Sequence, residues 1–139
     1  MKVSIVYWSG TGNTEAMANA VAEGALGSGA EVELLLVSAA DEGVLASDAI
    51  LLGCPAMGAE QLEESEFEPF FSSIEGKLAG KRVGLFGSYD WGDGEWMRTW
   101  QERVVSAGGN MVADGVIANN APDDDALAAC RVLGAKAAK

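Results

Sequence analysis

Val3-Ser4-Ile5-Val6-Tyr7-Trp8-Ser9-Gly10-Thr11-Gly12-Asn13-Thr14 is the stretch that decides the fold. Val3–Tyr7 is a short, mostly apolar run, as a buried parallel strand requires. It ends in a Ser/Gly/Thr/Gly cluster. From Thr14 onward, Met17, Ala18, Val21, Ala22, Ala25 and Leu26 recur at helical spacing until Gly27-Ser28-Gly29 stops them. Strand, tight loop and helix in that order form the opening unit of an α/β sheet.

The same unit repeats outward from this start. Val32–Val37 reads as a second strand and Asp48–Cys54 as a third, apolar enough to be covered on both faces. Phe67–Ile74 reads as a short helix, Arg82–Ser88 as a fourth strand, and Trp96–Ala107 as a helix closed by Gly108-Gly109. A fifth strand is expected in Met111–Ala118, interrupted around Asp114-Gly115. Asp123–Lys139 reads as a last helix whose acidic start and basic end suit the helix dipole. The pattern predicts a parallel sheet with helices on both faces, forming one domain over residues 1–139. Ligands of such sheets sit at the carboxyl ends of the strands, where the winding direction reverses. The unusual residues follow strands one, three, four and five, so they converge on one edge.

Composition narrows the chemistry. The chain has no histidine, which removes Ser-His-Asp and Cys-His catalysis, most zinc sites and any histidine proton shuttle. Cys54 and Cys130 form no C-x-x-C pair, and without a secretory context no structural disulfide is expected. A net charge of −12 argues against nucleic acid and suits either plain solubility or steering toward basic partners. No apolar run approaches the roughly 20 residues of a membrane span. Met1-Lys2-Val3 leads straight into the first strand without a signal-peptide pattern, so a cytoplasmic location is expected.

Ser9-Gly10-Thr11-Gly12-Asn13-Thr14 joins the first strand to the first helix. Hydroxyl and amide side chains surround two glycines that allow a tight turn, and a helix start offers free N–H groups and a favourable dipole to an anion. No lysine follows, so this is neither the G-x-x-x-x-G-K-[ST] loop nor the G-x-G-x-x-G fingerprint. Neutral donors suit one terminal phosphate that is bound and never transferred. Taken alone, the loop also reads as an N-cap with turn glycines.

Three segments carry a family resemblance: Val6–Thr14, Leu52–Gly58 (Leu-Gly-Cys-Pro-Ala-Met-Gly) and Leu85–Gly92 (Leu-Phe-Gly-Ser-Tyr-Asp-Trp-Gly). They resemble the three FMN loops of short-chain flavodoxins of anaerobic bacteria. The similarity extends through Glu64–Phe70 and Gly94–Met97, and so over essentially the whole chain. It implies a flavodoxin-like doubly wound sheet of five strands in the order 2-1-3-4-5, with FMN at the switch point between the first and third strands. Ser9, Thr11, Asn13 and Thr14, with the amides of Gly10 and Gly12, would hold the phosphate. Ser88 and Asn120 would lie near the phosphate and ribityl chain. Met57 would cover the inner flavin face and Trp91 the outer, and Glu60 would accept the flavin N3–H. The amides of Asp90 and Trp91 would face the pyrimidine end, and Gly58-Ala59 matches the peptide that flips on reduction. Pro55, Ala56, Tyr89 and Gly92 complete the second and third loops.

The implied task is low-potential one-electron transfer between redox proteins, mainly between semiquinone and hydroquinone, by a monomer and not by an enzyme. Its expected partners are basic or positively patched redox proteins that dock transiently. A carbonyl at Gly58 that accepts the N5 hydrogen would stabilise the semiquinone by about 1 kcal/mol. Glu60, Glu63, Glu64, Glu66 and Glu68, with Asp90, Asp93 and Glu95, would oppose further negative charge, and salt would screen the distant ones. Most of these read rather as solvated surface, with Glu60 alone favoured as a direct contact. Trp96 and Trp100, four apart on a helix, read as packing residues; Trp8 flanks the phosphate loop. The family pattern has glycine where Asp90 stands, and a positive φ there would strain an aspartate. It carries an acidic or polar residue where Ala59 stands.

The alternative reading is an FMN-dependent NAD(P)H:quinone or flavin reductase of the same fold, which needs room over the flavin that Trp91 would occupy. A response-regulator receiver domain needs acidic residues at the ends of strands one and three, where this chain has Tyr7-Trp8-Ser9 and Gly53-Cys54-Pro55.

Overall fold

Strands and helices alternate along the chain: β1 (Lys2–Tyr7), α1 (Asn13–Gly27), β2 (Glu31–Leu36), β3 (Ala49–Gly53), α2 (Phe67–Glu75), β4 (Arg82–Tyr89), α3 (Glu95–Ser106), β5 (Asn110–Met111), β6 (Val116–Asn119) and α4 (Asp124–Ala137). The structure is a computed structural model that describes residues 1–58 and 60–139. Ala59, one of the expected cofactor residues, lies outside the described residues.

The strands pair in parallel in the order β2-β1-β3-β4-β5, with β6 also beside β4. Val3 lies opposite Val32 on one side and Ala49 on the other, which puts β1 inside the sheet. The expected order therefore holds, with one refinement. The fifth strand is divided: β5 pairs with Arg82 and Val83, and β6 with Phe86–Tyr89. The break contains Asp114-Gly115, where the interruption was expected. The Gln101 side chain accepts the Gly115 N–H there, so a donor leaving the ladder stays satisfied. Element bounds elsewhere match the sequence reading to within one or two residues. Short 3-10 turns at Val37–Ala39 and Glu42–Ala46 were not expected, because so few residues carry no periodicity.

Alternation along β1 sorts its side chains onto two faces. Val3, Ile5 and Tyr7 pack with α1 and α4, through Met17, Val21, Ala25, Cys130 and Leu133. Val6 faces the other layer, where α2 and α3 supply Phe67, Phe71, Ile74, Trp96 and Trp100. Arg103 of α3 binds the carboxylates of both Glu68 and Glu75 on α2, at 2.7–3.0 Å, and lies 4.7 Å from the Phe71 ring centre. That clamp, with Trp100 edge-on to Phe67 and Phe71, fixes α2 against α3. At the start of α4 the Asp123 carboxylate accepts the Ala126 N–H at 2.8 Å, as an N-cap does. Among the described residues, no helix is long and apolar enough to cross a membrane. The carboxyl ends of β1, β3, β4 and β6 share one edge, and four loops leave from it.

Candidate functional site

The β1–α1 loop is built from its own residues. Gly12 sits at φ 92° immediately before α1, a left-handed conformation that favours glycine. Ser9 Oγ accepts the N–H groups of Gly12 at 3.1 Å and Glu15 at 3.3 Å, which curls the loop over the helix start. Gly10, Thr11 and Gly12 are exposed, whereas Thr14 is buried. The Thr14 hydroxyl bonds to the Ser88 hydroxyl at 3.0 Å, so the helix start is tied to the end of β4. What remains open to an anion is a set of neutral donors at a helix N-terminus.

The β3–α2 loop is held from several directions. The Trp96 indole N–H donates to Cys54 C=O at 3.1 Å, and Ala56 N–H donates to Ser88 C=O at 3.0 Å. Met57 and Gln61 form an antiparallel bridge, with the Met57 N–H on Gln61 C=O at 2.8 Å. Met57 is left partly exposed at the edge of the turn. Glu60 takes a positive φ of 51°, and its Oε1 is buried with no hydrogen-bond partner among the described residues. That atom lies against Gly92: a Cβ on Gly92 would come within 2.2 Å of it. Gly92, at φ 89°, therefore lets the second and third loops touch.

In the third loop Ser88 is buried, Tyr89 packs on Trp96 with ring centres 5.5 Å apart, and Trp91 is 59% exposed. Asp90 is exposed and has no positive φ, so the strain considered for an aspartate there is absent. The non-glycine residues with positive φ among those described are Glu60 and Asn120. Asn120 N–H donates to Tyr89 C=O at 2.6 Å, bringing the β6–α4 loop to the same edge.

These loops enclose a cleft of about 400 Å³, within the range of small-molecule sites. Of the expected residues, Gly10, Thr11, Asn13, Pro55, Ala56, Met57, Ser88, Tyr89, Asp90 and Asn120 line it. Ser9, Gly12 and Thr14 stand behind it as the loop's internal frame. Gly58, Trp91 and Gly92 are exposed beyond its rim, and Glu60 lines a neighbouring groove with Gln61, Trp96 and Trp100. Trp8 also lines the cleft, although it was not among the expected ligand residues. The signal for it was its place flanking the Ser9–Thr14 loop; in the structure its indole lies so close over Gly10 that an added Cβ would come to 3.0 Å.

Charge gathers at one end. Carboxylate oxygens of Glu60, Asp93 and Glu95 lie within 4.8 Å of one another, and Arg98 pairs with Asp93 at 3.1 Å. Glu60, not Asp90, completes this trio. Cys54 is fully buried, which pushes its thiol up and makes it an inert packing group.

The Flavodoxin family profile matches residues 5–134. The chain is 49% identical over 138 residues to flavodoxin of Megasphaera elsdenii, covering 99% of this chain and 98% of that one. It is 51% identical over 123 residues to flavodoxin of Clostridium beijerinckii, covering 88% and 89% of the two. The solution structure of two-electron reduced Megasphaera elsdenii flavodoxin superposes with a TM-score of 0.90, at 50% identity over 98% of each chain.

Proposed function

The chain belongs to the flavodoxin family and is an electron-transfer protein that uses FMN, and from that premise we propose how its residues hold the cofactor and bias its use. The observation that carries the assignment is the buried, unpartnered Glu60 Oε1 beside a cleft whose other end is a neutral anion cradle. A buried carboxylate oxygen without a donor costs free energy unless a ligand N–H reaches it. The ring N–H of an isoalloxazine is such a donor, and a terminal phosphate suits Ser9–Thr14. The residues present fit FMN at both ends.

In this reading, Thr11, Asn13 and the loop amides bind the phosphate, while Ser9 and Thr14 shape the loop. Ser88 and Asn120 serve the ribityl chain. Met57 and Trp91 flank the ring, Glu60 accepts the pyrimidine N–H, and the amides of Asp90 and Trp91 face the same end. FMN, when bound, supplies stepwise one-electron chemistry. The chain contributes the selection between its steps: the Gly58 peptide offers a carbonyl to N5, and the Glu60–Asp93–Glu95 trio opposes added negative charge. That charge at the ring end would make bound FMN a low-potential donor. Residues 1–139 act as one FMN-binding domain and as a cytoplasmic monomer. Its net charge of −12 steers it to transient contact with positively patched redox proteins.

Titrating apoprotein with FMN tests this directly. One equivalent should bind with loss of flavin fluorescence, and Glu60→Gln should weaken it about tenfold, the worth of one buried hydrogen bond to a charged group. Unchanged affinity in that variant would remove Glu60 from the site. Oxidation of NADH or NADPH by the holoprotein, with turnover, would instead indicate the reductase reading.

A further inference from the structure

Glu63 is the one charged side chain buried among the described residues, at 5% exposure. It lines neither the cleft nor the groove beside it, and none of the ion pairs among the described residues includes it. Four donors hold its carboxylate instead. Oε1 accepts the N–H groups of Glu66 at 2.8 Å and Phe67 at 2.9 Å, and Oε2 accepts the N–H of Ser65 at 2.8 Å and its hydroxyl. Glu63 therefore caps α2 from outside, since Glu66 at the N-cap position makes no side-chain cap bond.

Its backbone is engaged on the other side. The Glu63 N–H donates to Cys54 Sγ at 3.3 Å, and its C=O accepts the Glu68 N–H at 2.8 Å. Cys54 directly follows β3, so the bond between Cys54 and Glu63 closes the base of the loop that carries Met57, Gly58 and Glu60. Inside that loop, the Met57–Gln61 bridge forms a second, outer closure.

We propose that Glu63 is a positioning residue whose carboxylate locks the base of the Cys54–Glu63 loop to α2 and so holds Met57 and Glu60 for FMN. The inference rests on the cofactor assignment above. The side chain acts through geometry, because both oxygens must accept at once from donors on three successive residues. Glutamine keeps the length but turns an NH2 toward one set of donors. Aspartate keeps the charge but is one methylene too short to reach them all. Positioning therefore requires E63Q and E63D to behave alike, whereas a purely electrostatic effect of the charge leaves E63D native.

The test reads two quantities. In apoprotein, hydrogen exchange of the Met57 and Glu63 amides should be about tenfold faster in both variants, the equivalent of one hydrogen bond. The amides of β1 and α1 should be unchanged. In FMN titrations both variants should bind about tenfold more weakly or worse, and the gap between the two reduction potentials should move in the same direction in each. Glu75→Gln, which disturbs only the Arg103 clamp, should leave exchange at Met57 and the potentials alone.

Native exchange and potentials in E63D would overturn the proposal, as would uniform acceleration of every amide. Should E63Q not fold, Ser65→Ala removes a single donor from the same carboxylate. It should speed exchange of the Glu63 amide about threefold, and no change there would count against the proposal. Failure of the native apoprotein to take up FMN would instead overturn the cofactor assignment, leaving the exchange result for Glu63 to stand.

Discussion

The Ser9–Thr14 loop is held mostly from within, with one tie to Ser88, whereas the Cys54–Glu63 loop draws most of its support from other elements. In the first, Ser9 Oγ reaches amides three and six residues ahead, and Gly12 supplies the left-handed turn. In the second, bonds from Ser88, Trp96 and the start of α2 add to the internal Met57–Gln61 bridge. Such a difference suits different tasks. If the first loop holds the phosphate as proposed, its ligand keeps its charge whatever the redox state, and a largely self-built loop serves it. In the proposed placement the second loop faces the ring, which responds to electrons, and a loop held by separable contacts can change its hydrogen bonding one contact at a time.

The largest expected break in this contrast is acid. The Glu63 carboxyl is pushed up by burial. The Ser65 hydroxyl and the amides of Phe67, Glu66 and Ser65 more than offset this and hold it at about 2, against an ordinary value of 4.5. A lowered pKa in the folded state stabilises it above the unfolded value, and that stability is lost as pH falls through the folded one. The contribution should be full above about pH 5 and disappear toward pH 2, and is on the order of 3 kcal/mol. Denaturant titrations across that range should show the slope in native protein and lose most of it in Glu63→Gln. Gly92→Ala comes next, because it combines a φ of 89° with a Cβ 2.2 Å from Glu60 Oε1. A loss of about 2 kcal/mol in FMN binding is expected, and an affinity within twofold of native would show that the two loops need not touch.

The sharpest comparison pairs one substitution from each loop. Ser9→Ala should cost about 1 kcal/mol of FMN binding in every redox state, leaving the separation of the reduction potentials unchanged. Gly58→Ala should do the reverse. Gly58 has no positive φ here, and a Cβ would meet nothing within 4 Å. Oxidised FMN should therefore bind as before, and the cost of about 1 kcal/mol should fall on the reduced state if the proposed flip of the Gly58 peptide serves it. Equal shifts from both variants would erase the distinction between the loops. Smallest is Asp90→Gly, which removes an exposed charge. The second reduction potential should rise by roughly 20 mV or less at ordinary salt, and a fall would remove Asp90 from the acidic field.

The sequence was most legible where causes are local. Strand and helix periodicity, the acidic start of the last helix, the glycine stops and the interruption at Asp114-Gly115 all act within a few residues, and the elements follow them. The tight turn at Ser9–Thr14, with its left-handed Gly12, was legible for the same reason. The β3–α2 loop was named through its family resemblance, but nothing in its residues distinguished buried Glu63 from exposed Glu64 and Glu66. All three read as an acidic run, because only packing decides which carboxylate faces a helix start.

Sequence alone therefore determined the alternating α/β order, the neutral, lysine-free Ser9–Thr14 turn and the absence of histidine chemistry, since composition, short-range sterics and periodicity suffice for these. Tertiary structure alone decided the Thr14–Ser88 bond, the approach of Glu60 to Gly92 and the burial of Glu63. Each depends on segments brought together by the sheet, or on whether a side chain is shielded from water, and no local pattern encodes either.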